Sequence, residues 1–245
     1  MSITEELLRI YFDIAYNPVY DFTTGRFHHY LELQHSCIAK LDYVDSDKVL
    51  CVGIGTGNEI SHVLEMNRKV SIVGIDYSRA ALRRAYRKTL KSGKKIEVMV
   101  MDAQHLEFCS AVFDKIICIH LMDFVEDHAR VTNEIFRVLK NGGQFVITYP
   151  SLKEGPELGY NLVRDNIRHA INNGQNPIKA FLAVLGPMLA TVVYLPLLLR
   201  PKPMNYCRDE LEVMISKAVV ADFVIDEDPV YQDFIVYGKK IREVE

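Results

Sequence analysis

The stretch that decides the fold is VLCVGIGTGNE, which occupies residues 49–59. Its first half is an apolar run typical of a short buried strand, and its second half is a glycine-rich turn that leads into a helix. The turn contains Gly53, Gly55 and Gly57, where the missing Cβ atom lets the backbone come close to a bound molecule. A strand, a glycine turn and a helix in this order predict a nucleotide-type site, which many different ligands share.

Composition sets broad limits on the protein. The 245 residues carry a net charge of −3 with 25% charged residues, which is enough chain for one α/β domain and argues against nucleic acid as a partner. The 5 cysteines lack the paired spacing of a zinc site, and their odd number argues against a disulfide framework. The first residues have no basic stretch followed by an apolar one, so we expect no signal peptide and a cytoplasmic location.

Strand and helix patterns alternate along most of the chain. We predict strands over 48–52, 70–75, 96–101, 113–120, 144–149, 223–227 and 233–237, and helices over 58–66, 78–91, 129–139 and 208–219. The first 45 residues are helical and aromatic, with a break at Pro18 and a helix junction at Gly25. This alternation predicts an α/β fold of the Rossmann-like type, with a seven-stranded, mostly parallel sheet flanked by helices.

Four further landmarks follow the glycine turn in order. They are IDYS (75–78), MDAQHL (101–106), FDKII (113–117) and EIFRVLKNGG (134–143). Together with the glycine turn they resemble the class I S-adenosylmethionine-dependent methyltransferases, and in particular the ubiquinone/menaquinone C-methyltransferase branch (methyltransferase type 11). The resemblance covers about residues 11–149 and resumes over 205–240.

The resemblance implies S-adenosylmethionine as the cofactor and assigns residues to it. They are Gly53, Gly55, Gly57, Asp76, Tyr77, Asp102, Ala103 and His120. Asp76 would accept both ribose hydroxyls, Asp102 would meet the adenine amino group, and Ala103 would supply a backbone contact. Taken singly, Asp76 as a helix cap and Asp102 as a turn residue are equally good interpretations. The family's acid before the glycine turn is replaced here by Cys51, and Glu59 is a candidate to compensate for it.

On this basis we divide a single domain, 1–245, into four parts. They are an N-terminal helical cap (1–45), a cofactor-binding core (46–150), an apolar insert between the fifth and sixth strands (151–204), and a final helix with two strands (205–245). An oxygen or carbon acceptor must lose a proton, and the candidate catalytic residues are His120, Asp123 and Tyr20. His120 is the best base by intrinsic pKa, with a packed histidine as the alternative, whereas Tyr20 is more typical of aromatic lining. No metal site is predicted.

The insert contains an uncharged run over residues 180–199. Its length and hydropathy suit a membrane span, but a full crossing would separate the last two strands from their sheet, and Pro187 and Pro196 would interrupt the helix. We therefore expect a bent or paired-helix cover that meets a membrane surface through 177–202 or covers a lipophilic substrate. A homodimer contact and a buried core helix are the alternatives.

The predicted function is methylation of a hydrophobic small molecule such as a quinone, a lipid or a natural product. One alternative is a lipid-headgroup N-methyltransferase that docks on a membrane surface. The other is a protein that binds the cofactor without transferring its methyl group.

Overall fold

The computed structural model describes residues 10–93, 96–153, 158–190, 193, 204–219 and 221–241. The strands are β1 (Lys48–Val52), β2 (Ser71–Asp76), β3 (Glu97–Val100), β4 (Phe113–Cys118), β5 (Leu139–Tyr149), β6 (Ala221–Glu227) and β7 (Phe234–Lys240). The α-helices are α1 (Asn17–Thr24), α2 (His28–Ile38), α3 (Glu59–Met66), α4 (Arg79–Ser92), α5 (His128–Val138), α6 (Leu158–Asn172), α7 (Pro177–Ala190) and α8 (Arg208–Ala218). A π-helical turn, Phe12–Tyr16, precedes α1, and a 3₁₀ turn, Met122–Phe124, follows β4.

The seven strands form one sheet in the order β3-β2-β1-β4-β5-β7-β6. The first five pair in parallel, while β7 runs antiparallel to both of its neighbours. The predicted Rossmann-like, mostly parallel sheet is therefore confirmed. The strand order reverses beside β1, which places the glycine turn where open α/β sheets hold their ligands.

Hydrophobic packing covers both faces of the central strands. Along β1, Leu50 and Val52 belong to one buried cluster, while Val49 and Cys51 belong to the cluster on the other face. Because successive side chains of a strand point to opposite faces, β1 is buried on both faces. This explains why the strand has a continuous apolar sequence without alternation.

The junction between α5 and β5 differs from the prediction. The sequence predicts a glycine stop and a strand that begins at residue 144, but β5 begins at Leu139, directly after the helix. Leu139 pairs with Phe113, and the register then shifts before Lys115 pairs with Gln144. Gly142, with a φ of +78°, accommodates this irregularity, so the predicted stop is a bulged start of the strand.

Contrary to the prediction, Pro18 does not break the N-terminal helix. The π-helical turn leads directly into α1, and Pro18 is one of its first two residues, where a missing N–H costs no hydrogen bond of the α-helix. Gly25 ends α1 as predicted.

The insert contains a pair of helices, α6 and α7, that pack against each other. Tyr11 of the N-terminal segment donates a hydrogen bond to the carbonyl oxygen of Val193, beyond α7. The rest of the uncharged run after residue 190 lies outside the described residues. Within the described ranges, no helix has the length and apolar character needed to cross a membrane.

Candidate functional site

The glycine turn between β1 and α3 has the backbone geometry that the sequence predicts. Gly53, Gly55 and Gly57 have φ angles of +72°, +53° and +81°, in the left-handed region that favours glycine. A Cβ atom at Gly57 would lie 2.9 Å from Ala85 Cβ and 3.0 Å from Ala85 Cα, so α4 packs directly against this glycine. The turn therefore offers bare backbone at the carboxyl end of β1.

Asp76 ends β2, and its carboxylate contacts the glycine turn. Its Oδ2 accepts a hydrogen bond from the Gly55 N–H at 2.8 Å, and its Oδ1 accepts one from the Ser78 N–H at 2.8 Å. Burial raises the pKa of this carboxyl against the opposing effect of the two donors. The predicted ribose acid and the predicted glycine turn are thus in direct contact.

The helical cap holds the glycine turn through a group of polar contacts. Thr56 donates a hydrogen bond to Asp21 Oδ1 at 2.5 Å, and Lys88 Nζ lies 3.1 Å from the same oxygen. Lys88 also donates to Asn58 Oδ1 at 2.5 Å. Because Asp21 belongs to α1 and Lys88 to α4, these contacts join two helices around the turn.

A second contact ties the cap to the start of α4. Ser78 accepts a hydrogen bond from the Ala81 N–H at 3.1 Å and is therefore the N-cap of α4. Its hydroxyl donates to Asp13 Oδ1 at 2.5 Å and accepts from Asn17 Nδ2 at 2.9 Å. The N-terminal segment is therefore fixed beside Asp76, although the sequence analysis did not select Asp13 or Asn17.

The chain after β3 reaches the same edge of the sheet. Met101 N donates to Asp76 O at 3.2 Å, so the following residues leave the sheet beside the predicted ribose acid. Asp102 is exposed and Ala103 is buried, while Tyr77 is 38% exposed. The cofactor contacts assigned to these three residues stay predictions.

His120 lies just beyond β4 in a rare backbone conformation. Its φ is +55°, and its N–H donates to Thr148 Oγ1 at 2.7 Å, which ties the turn to β5. Nδ1 of His120 lies 3.4 Å from Asp233 Oδ2 and 4.0 Å from Asp123 Oδ2. The structure thus brings two predicted catalytic residues together and adds Asp233, a buried residue just before β7 that the sequence analysis did not select as catalytic.

Tyr20 belongs to a chain of hydrogen bonds that leads to the start of α3. Its hydroxyl bonds the hydroxyl of Tyr30, which also accepts from Gln34 Nε2 at 2.9 Å. The Tyr30 ring stacks on His120 with centroids 5.6 Å apart and an interplanar angle of 15°. Burial raises the pKa of Tyr20 well above its usual value, so the hydroxyl keeps its proton at neutral pH. This environment suits a lining or donor role, and a catalytic role for Tyr20 stays a prediction.

Glu59 is the buried end of this chain. Its Oε1 accepts from Gln34 Nε2 at 3.2 Å, and its Oε2 has no hydrogen-bond partner among the described residues. Only 6% of Glu59 is exposed, and burial raises the pKa of its carboxyl to about 7. Cys51 is also buried, and burial raises the pKa of its thiol, so Cys51 cannot supply the negative charge of the acid that it replaces.

The group around His120 also has the spacing of a metal site. One ligand atom each from His120, Asp123 and Asp233 lies within 4.8 Å of the other two. The sequence analysis predicts no metal, and the contact of His120 with Asp233 is equally suited to a histidine–carboxylate pair.

Comparisons with known proteins agree with this geometry. Residues 50–147 match the family described as a methyltransferase domain. The chain is 38% identical over 102 residues to a phosphatidylethanolamine N-methyltransferase of Cereibacter sphaeroides, covering 41% of this chain and 49% of that protein. It is 30% identical over 109 residues to a ubiquinone/menaquinone biosynthesis C-methyltransferase of Desulfotalea psychrophila, covering 44% of each. The chain therefore spans about half the length of these relatives.

A solved structure shares the fold over almost the whole chain. It is a methyltransferase of Thermotoga maritima described as a possible histamine N-methyltransferase, with a TM-score of 0.61 and 16% identity, covering 94% of this chain and 99% of that one. The sheet topology, the glycine turn and the contact of Asp76 with that turn are those of a class I methyltransferase fold. Over residues 50–147 the chain is similar to the methyltransferase-domain family, and its fold is shared with an S-adenosylmethionine-dependent methyltransferase.

The residues present fit S-adenosylmethionine, the cofactor of this class. The space that a Cβ atom would take at Gly55 is open, and Asp76 lies against this glycine with a carboxylate that can accept hydroxyl hydrogen bonds. The buried Glu59 oxygen without a partner is a further polar group that a cationic ligand would satisfy.

Proposed function

We propose that this protein transfers a methyl group from S-adenosylmethionine to a lipophilic small molecule taken from a membrane surface. The observation that carries the lipophilic part is the exposed apolar surface of α7. Its exposed large side chains are Ile178 (68%), Phe181 (43%), Leu182 (58%), Leu185 (36%) and Leu189 (67%). A concentration of apolar surface on one helix is typical of a lipid or ligand contact.

The position of α7 connects this surface to the cofactor site. The helix packs on α1, where Gly186 lies against the Phe22 ring. The neighbouring Asp21 of α1 contacts Thr56 in the glycine turn. A lipophilic molecule on α7 would therefore lie one helix away from the site, which supports the insert as a substrate cover.

A basic surface on α4 supports docking on an anionic membrane. Arg79, Arg83 and Arg87 are exposed at four-residue spacing, so they share a face of the helix. Tyr86 and Leu90 lie next to them with 50% and 65% exposure. The π-helical turn that precedes α1 also contacts α4, so basic and apolar surfaces flank the same helical cap.

The chemistry that the chain must supply is positioning and proton removal. When bound, the cofactor supplies an electrophilic methyl group on a sulfonium. In this proposal His120 takes the proton of the acceptor, and Asp233, whose Oδ2 lies 3.4 Å from His120 Nδ1, orients the imidazole and stabilises its cationic form. Holding the acceptor in line under the cap supplies most of the remaining acceleration.

A second candidate function is N-methylation of a lipid headgroup. The similarity to a phosphatidylethanolamine N-methyltransferase favours it, and the same surfaces would then serve to dock on the bilayer. The two candidates differ only in the acceptor, because a headgroup offers a polar amine at the bilayer surface whereas a quinone-type molecule offers a hydroxyl group or a ring carbon on a largely apolar body.

The test is transfer of labelled methyl groups to two kinds of vesicle. One contains phosphatidylethanolamine, and the other contains phosphatidylcholine with a hydroxylated prenylquinone precursor. Label in the quinone supports the first proposal, and label in the headgroup supports the second. If S-adenosylhomocysteine binds but neither vesicle nor a total lipid extract gains label, methyl transfer to lipids is contradicted.

Replacing Leu182 with aspartate should weaken binding to anionic vesicles by at least about tenfold, because a charge at the apolar interface opposes insertion. Sedimentation with vesicles measures this, and binding of S-adenosylhomocysteine should not change. The matched control is Val213→Asp, since Val213 is 52% exposed on α8. Equal effects of both variants would contradict the assignment, and a change in oligomeric state on Leu182→Asp alone would favour a dimer contact.

Chelation distinguishes the two possible roles of His120, Asp123 and Asp233, which are a metal site and a histidine–carboxylate pair without a metal. We expect methyl transfer to survive EDTA treatment and gel filtration, because His120 Nδ1 lies 3.4 Å from Asp233 Oδ2, close enough for the carboxylate to orient the imidazole directly. Activity that is lost and then restored by Mg²⁺ or Mn²⁺ would identify His120, Asp123 and Asp233 as metal ligands.

A further inference from the structure

We propose that Glu59 binds the α-ammonium group of the cofactor's methionine part and replaces the acid that is missing at Cys51. This inference rests on the proposed cofactor site and adds a residue to it. Glu59 is the first residue of α3, directly after the glycine turn, and its side chain is buried.

Among the described residues no cation forms an ion pair with Glu59, although Lys88 and His120 act on its pKa from a distance. Its Oε1 accepts from the neutral Gln34 amide at 3.2 Å, the backbone N–H of Glu59 itself also interacts with the carboxylate, and Oε2 has no hydrogen-bond partner among the described residues. The nearby Lys88 ammonium is engaged by Asp21 and Asn58. An ionised carboxylate in such a place is costly, and a bound cation removes much of that cost.

The position of Glu59 also fits the cofactor's charges. Asp76 and His120 both influence the pKa of Glu59, so the carboxylate lies near the ribose acid and near the proposed base. The cofactor has two cations, a sulfonium and an ammonium. Only the ammonium has N–H groups to donate, so it is the better partner for a carboxylate oxygen that lacks a hydrogen bond.

The test compares two ligands that differ in the methionine part. S-adenosylhomocysteine keeps the ammonium but has no sulfonium charge, and 5′-methylthioadenosine lacks the amino-acid part altogether. Calorimetry on Glu59→Gln should show S-adenosylhomocysteine bound about tenfold or more weakly than by the natural protein, as expected for the loss of a charge-assisted hydrogen bond. Binding of 5′-methylthioadenosine should change less than about twofold, and Glu65→Gln, an exposed change on the same helix, should affect neither ligand.

The pH dependence of binding gives a second readout. Burial holds the pKa of Glu59 at about 7 in the free protein, and a bound ammonium would lower it, so binding would release a proton. Affinity for S-adenosylhomocysteine then falls nearly tenfold per pH unit as the pH drops below about 7. The window of about pH 5.5–6.5 keeps the ligand's own amino group protonated.

Other groups that face Glu59 must be separated from it in this experiment. They are Asp76 at the end of β2, Lys88 on α4, His120 after β4, Tyr20 on α1, Tyr30 on α2, Cys51 on β1 and Cys118 on β4. The pH dependence of S-adenosylhomocysteine affinity should vanish in Glu59→Gln, and 5′-methylthioadenosine affinity should show no such dependence. If the affinity of Glu59→Gln for S-adenosylhomocysteine still falls with pH, the titrating group is one of these others and the assignment to Glu59 is wrong.

The outcomes distinguish this inference from the proposed function. If the natural protein binds neither ligand, the cofactor site itself is wrong. If it binds both and Glu59→Gln leaves S-adenosylhomocysteine affinity unchanged, or weakens both ligands equally, the role of Glu59 at the ammonium is wrong while the site stands.

Discussion

Replacing Asp76 with alanine is expected to reduce affinity for S-adenosylhomocysteine by more than roughly a hundredfold. Each hydrogen bond to a carboxylate contributes about 1.5–3 kcal/mol, and the proposed contact involves two ribose hydroxyls. The substitution also removes the acceptor of the Gly55 and Ser78 N–H groups, so the glycine turn loses its support. Calorimetry measures the affinity directly.

Two further variants make the Asp76 result interpretable. Asp76→Asn keeps one carbonyl acceptor and should give an intermediate loss if the alanine variant does not fold. Asp222→Ala removes an exposed carboxylate from β6, at the far edge of the sheet, and should bind as the natural protein does. Natural affinity in a folded Asp76→Ala protein would contradict the role of this residue at the ribose.

Replacing His120 is expected to lower the turnover rate by about 10²–10⁴-fold, the usual contribution of a positioned general base. Affinity for S-adenosylhomocysteine should fall much less, because the proposed role of His120 concerns the acceptor. The variant of choice is His120→Asn, since asparagine tolerates the left-handed φ of +55° better than alanine does. Rates with saturating cofactor measure the effect.

His35→Ala is the matched control for this prediction. It removes an exposed histidine from α2, and it should leave the rate unchanged. A His120→Asn protein with a natural rate would show that His120 is a packed histidine, which is the alternative that the sequence left open.

The sequence predicted those parts of the site that depend on local chain geometry. The glycine turn and Asp76 lie at the ends of neighbouring parallel strands, so their contact follows once the sheet is recognised. The start of the helix predicted over 78–91 is equally local, because Ser78 caps α4 with its own side chain. The roles assigned to Tyr77, Asp102 and Ala103 depend on a bound ligand and stay predictions.

Other parts depend on contacts between distant segments. Asp233 meets His120 because β7 pairs with β5 in an antiparallel register that places its start beside the end of β4, and no local pattern encodes that register. The buried environment of Glu59 includes Gln34 of α2, which lies 25 residues away along the chain. For Glu59 the one available signal was the cysteine at position 51, in place of an acid.

The measurement that tests the central claim most directly is a crystal structure of the protein with S-adenosylhomocysteine. The account predicts that the nucleoside lies at the carboxyl edge of the sheet, with its ribose hydroxyls on Asp76 and the glycine turn beneath it. A ligand bound elsewhere, or no ligand in crystals grown at saturating concentration with Asp76 still bonded to Gly55, would contradict it.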